Sequence, residues 1–79
     1  MWWFVKKQYE NETNISYAYG FETKKVSGVV EYDKLLHKFT LNKIADNDNK
    51  KLVERFLYRH LFKLINDENC PDERQIAIG

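Results

Sequence analysis

Residues 52–65 read LVERFLYRHLFKLI, and this stretch decides the fold. Apolar side chains recur every three or four positions, at Leu52, Val53, Phe56, Leu57, Leu61, Leu64 and Ile65. On a helix that spacing gathers them on one broad face, leaving Lys51, Glu54, Arg55, Arg59 and Lys63 for water. Asp46, Asn47, Asp48 and Asn49 stand just upstream, and their side chains accept from the free N–H groups of a first helical turn. Residues 66–69 weaken the pattern and Pro71 stops it. A helix is expected over 48–67.

An amphipathic helix needs an apolar surface to cover. Residues 15–21, ISYAYGF, supply one with a different rhythm: large side chains at every second position. That is the period of a strand with one covered face. Four further segments read as strands, at 2–9, 26–32, 38–44 and 74–78. Polar links at 10–14 and 22–25 suit hairpin connections. Gly28 suggests a bulge or a loose strand entry. Leu35 and Leu36 fall in the turn that starts at Asp33, an awkward place for two leucines.

The order is β-β-β-β-α-β, an α+β class: one small, mainly antiparallel sheet with one helix on one face. Consecutive hairpins make the fourth strand antiparallel to the first. The helix then returns the chain, so the fifth strand is antiparallel to the first and pairs there, giving the order 5-1-2-3-4. Residues 1–79 form a single domain.

Composition narrows the function classes. With 43% hydrophobic residues and one proline, the chain is globular and not disordered. A net charge of +1 lacks the basic excess of a dedicated nucleic-acid or membrane-surface binder. No run approaches the roughly 18 residues of a membrane span, and Met-Trp-Trp-Phe-Val is too short for a signal core. Cys70 is the only cysteine, so no internal disulfide exists. A soluble, cytoplasmic protein is the expectation.

No constellation of chemistry stands out. His37, His60 and Cys70 have no short ligand spacing, and Cys70 follows a helix C-terminus, where the dipole disfavours a thiolate. Asp46-Asn47-Asp48 opens like a calcium loop but fails at Lys50, Lys51 and Leu57, and helix capping explains both aspartates. Glu10 and Glu12 read as solvated turn residues, and Gly20, Gly28 and Gly79 make no phosphate-cradling loop. Neither a catalytic centre, nor a metal, nor a cofactor is expected.

Two binding readings remain. The first is a non-catalytic interaction module that self-associates as a homodimer through an edge strand or an exposed aromatic surface, or binds another protein there. Trp2 and Trp3 are neighbours in a strand, so they point to opposite faces and one helix cannot cover both. Tyr58 and Phe62 crowd the helix flank. Trp2, Trp3, Tyr58 and Phe62 are therefore the candidate interaction surface. The second reading is a single-stranded nucleic-acid binder. In it Tyr17, Tyr19 and Phe21 stack bases while Lys6, Lys7, Lys24 and Lys25 meet phosphates. The competing structural reading places the tyrosine stripe under the helix.

Overall fold

The computed structural model describes residues 1–78. Five strands and one helical segment follow in the expected order: β1 Trp2–Glu10, β2 Asn14–Phe21, β3 Gly28–Asp33, β4 Lys38–Lys43, a helical segment over 53–67, and β5 Glu73–Ala77. The sheet order is β4-β3-β2-β1-β5, and every neighbouring pair is antiparallel. The α+β architecture and strand order match the sequence reading.

The period-two pattern sorts the side chains as expected. Trp3, Val5, Ile15, Tyr17, Tyr19, Val30, Tyr32 and Ile76 are buried on the helix side of the sheet. Val53, Leu57, Leu61 and Leu64 face them from the helix and close the core. Tyr17 and Tyr19 form the floor under the helix because only that layer removes two large rings from water.

The helix starts later than the capping residues implied. Residues 48–51 form turns, with Lys51 at a φ of 54°. A π-helical turn over Val53–Leu57 precedes the α-helix α1, Tyr58–Asp67. Asp48 still acts as the cap, at longer range: its carboxylate accepts the N–H groups of Leu52 at 2.6 Å and Val53 at 3.1 Å. It also accepts the Tyr19 hydroxyl at 2.9 Å. These donors allow a carboxylate with 0% exposure to sit in the core.

Gly28 begins β3 and makes no bulge there. A Cβ at this position would overlap the Tyr19 ring, which lies against the glycine backbone. Gly20 serves the opposite face. Carbonyls of Thr23 and Lys25 occupy the space its Cβ would need, so the 22–27 loop folds over that end of the sheet. The Lys24 ammonium sits 5.9 Å from the Phe4 ring centroid.

Candidate functional site

The chemistry-bearing residues converge at the end of the sheet where β1 and β3 finish and β4 begins. An irregularity in β1 makes this possible. Lys7 pairs with Tyr17 and Tyr9 with Ser16, so one extra residue lies between them. Such a bulge inverts the alternation beyond it. Glu10 therefore shares the helix side of the sheet with Lys7. The Lys34 ammonium donates to Glu10 Oε2 at 2.9 Å, and Lys7 donates to Oε1 at 3.3 Å. Lys7 also reaches the Cys70 carbonyl at 3.1 Å and the Asp72 carboxylate at 3.5 Å. The hydrogen bond from Lys34 holds the Glu10 carboxyl below its usual range, helped by Lys7.

Beside this cluster lies a cavity of about 200 Å³, lined by Glu10, Ile15, Tyr32, Lys34, His37 and Cys70, with Ile65 and Asn66 from the helix. Its walls include unusual backbone: His37, Cys70 and the adjoining Asn69 all have positive φ, at 55°, 52° and 57°. His37 Nδ1 and the Tyr32 hydroxyl share a hydrogen bond of 2.9 Å.

A histidine, a thiol and a carboxylate thus border one hollow, a juxtaposition that sequence spacing did not signal. Their bonds do not form a nucleophilic dyad. The Cys70 thiol points to the Ile65 carbonyl at 3.6 Å, and burial pushes its pKa up, away from the thiolate. His37 is engaged by Tyr32. Among the described residues, no group of three His, Cys, Asp or Glu side chains is close enough to hold a metal ion.

The β3–β4 turn supplies the other half of the site. Asp33 Oδ1 accepts the N–H groups of Leu35 at 2.8 Å and Leu36 at 2.9 Å. The Lys34 N–H donates to the Thr13 carbonyl at 2.8 Å, tying this turn to the β1–β2 turn. The braced turn holds Leu35 and Leu36 outward, 74% and 68% exposed. Both lie between Lys34 and His37, which line the cavity. Phe62, 44% exposed, meets the Tyr32 ring edge-on at 6.1 Å. Phe39 links the set to the helix: its ring lies 4.7 Å from Tyr32 and stacks on Tyr58 at 4.7 Å.

The residues singled out from sequence divide. Trp3 is fully buried against Phe21 and Tyr19, so it offers nothing to a partner; Trp2 is half-buried on the opposite face. Tyr58 is half-buried in its stack with Phe39, and only Phe62 is broadly exposed. Tyr17 and Tyr19 face the helix, and Tyr17 donates to the Pro71 carbonyl at 2.7 Å. Phe21 is partly covered by Trp3. Lys6, Lys24 and Lys25 are exposed, whereas Lys7 is bound into the Glu10 cluster. Buried tyrosine rings cannot stack bases, so the proposed nucleic-acid constellation is not assembled on one open surface. Leu35 and Leu36 are absent from the residues singled out from sequence, although two leucines inside a turn are a visible sign of an exposed apolar pair.

No protein-family model, curated protein or solved structure matches this chain. No helix among the described residues is long and apolar enough to cross a membrane.

Proposed function

We propose that this protein is a non-catalytic interaction module that docks a partner on the Leu35–Leu36 turn, Phe62 and the adjoining cavity. The observation that carries this reading is the bracing of the turn. Two leucines cost free energy in water, and Asp33, Thr13 and Glu10 all hold the segment that presents them. A surface fixed before binding loses little conformational entropy on docking. Apolar anchors beside a hollow whose walls mix apolar side chains with Glu10, Lys34, His37 and Asn66 match the anatomy of a protein-binding hot spot. The free thiol of Cys70 suits a reducing compartment, and we place the protein in the cytoplasm.

The test compares proteins recovered by proximity labelling in cells with the wild type, Leu35→Ser/Leu36→Ser and Phe62→Ser. Partners lost with both tip variants, but retained with the control Lys25→Ser, are expected. Leu35→Ser/Leu36→Ser should melt within about 0.5 kcal/mol of wild type, because those side chains contribute little to folding, and Phe62→Ser should lose roughly 0.5–1.5 kcal/mol with its Tyr32 contact. Identical recovery by the wild type and both tip variants would refute the reading.

A further inference from the structure

The two edges of the sheet are built differently. On the outer strand β4, Lys38 and Lys43 stand at the ends, and the register with β3 shifts near Lys43. Edge lysines and a bulge are standard obstacles to further pairing. Self-pairing of β4 about its centre would also set Lys38 opposite Lys43 of the other copy. Edge strand β5 has no lysine, no proline and a regular register with β1 from Glu73 to Ala77.

The hydrogen-bond phase of β5 identifies which groups it offers. Met1 and Ile78 exchange both main-chain bonds, each at 2.8 Å, and the Lys7 N–H donates to the Asp72 carbonyl. Bonded pairs alternate with unbonded ones in an antiparallel ladder. Ile78, Ile76, Arg74 and Asp72 therefore direct their main-chain groups at β1. Glu73, Gln75 and Ala77 direct theirs at the free edge.

We infer that a second copy of this chain pairs with β5 antiparallel, about a two-fold axis at Gln75. This register uses every outward-facing position. Gln75 bonds Gln75 of the second copy, and Glu73 bonds Ala77 on either side. Across the ladder Glu73 and Arg74 each stand opposite an uncharged residue, Ala77 and Ile76. On the helix side, Arg74 of the second copy lies beside Ile76, on the rim of a cavity of about 210 Å³ lined by Leu64, Ile76, Glu68, Arg74, His60 and Lys63, in which Glu68 is the one acidic side chain. Glu68 already pairs with Arg74 of its own chain at 2.8 Å, and its carboxylate can accept from a second guanidinium. The axis joins two sheets into one and closes this exposed edge. It leaves the Leu35–Leu36 turn free, so the inference stands independently of the proposed docking surface.

The interface is short, so a dissociation constant of roughly 1–100 µM is expected. Sedimentation velocity of the full chain from about 1 to about 500 µM brackets that range. The weight-average mass should rise from monomer to dimer. Gln75→Pro removes only the outward N–H, which β1 does not use, and should leave a monomer. Gln75→Lys should do the same by like-charge repulsion, which covers the case in which the proline variant fails to fold. An equimolar mixture of Gln75→Lys and Gln75→Glu should dimerise again, because opposite charges then meet at the axis. A wild type that stays monomeric throughout overturns the inference. So does a dimer that both Gln75→Pro and Gln75→Lys leave intact, or a mixture that stays monomeric.

Discussion

Tyr19 and Asp48 meet inside the core, the phenol donating to Asp48 Oδ2 at 2.9 Å while accepting the Ala45 N–H at 3.0 Å. One hydroxyl thus connects the central strand, the segment before the helix and the carboxylate that caps the helix. Tyr19→Phe keeps the ring and leaves both Ala45 N–H and one lone pair of Asp48 without that partner. A loss of about 1–3 kcal/mol is expected, read as a lower urea midpoint at unchanged slope. Asp48→Ala removes the cap as well and should cost more than Tyr19→Phe. Equal midpoints for wild type and Tyr19→Phe would show that this bond contributes nothing.

Alkali should loosen the fold through its tyrosines. Burial raises the pKa of Tyr17 and Tyr19, and pushes Tyr58 up to about 12 from the ordinary 10.0. A raised native pKa means that the unfolded chain gives up its proton first. The contribution of these groups is fully present below pH 10 and is lost as pH climbs from there, through about 12 for Tyr58 and further into alkali for Tyr17 and Tyr19. Tyr58→Phe should reduce the slope of stability in that window. At pH 7 the same variant is expected to be neutral or slightly stabilising, by up to about 1 kcal/mol, because the buried Tyr58 hydroxyl has no hydrogen-bond partner among the described residues. Denaturant titrations at pH 7, 10 and 11.5 check both statements.

Glu10 carries the opposite sign. Its native pKa lies below the ordinary carboxylate value of 4.5, chiefly through the hydrogen bond from Lys34. Stability from this group is present above pH 4.5 and drains away as pH falls through the lowered native value. The Glu10 side chain is 35% exposed, so solvent screens the pairs and Glu10→Gln should cost under about 1 kcal/mol at pH 7. Wild type and variant should differ at pH 7 in low salt, and the gap should shrink as pH falls below 4.5 or in 1 M salt. A gap that neither acid nor salt reduces would assign the effect to packing instead of charge.

Much of this architecture could be read from local pattern. The alternation at Ile15, Tyr17 and Tyr19 and the helical spacing of Val53, Leu57, Leu61 and Leu64 both arise from fixed backbone geometry. A period of two or of 3.6 residues is written along the chain itself. Hairpin succession then left few possible strand orders. The helix start was harder, because Lys51 adopts a left-handed φ and Asp48 caps from further upstream than a regular first turn allows.

The site was far less legible. Glu10 reads as a solvated turn residue because it opens a run of polar residues, whereas β1 continues through it. The extra residue between Lys7 and Tyr9 then turns Glu10 to the helix side, where Lys34 and Lys7 bind it.

Strand periods and the helix follow from near-neighbour sterics and burial, which a short window of residues expresses, and the succession of short links narrows the strand order. Which indole lies inside, where Glu10 points, and that Leu35 and Leu36 stand braced beside a hollow depend on contacts between distant segments. Those contacts exist only once the layers have packed, so no stretch of the chain taken alone contains them.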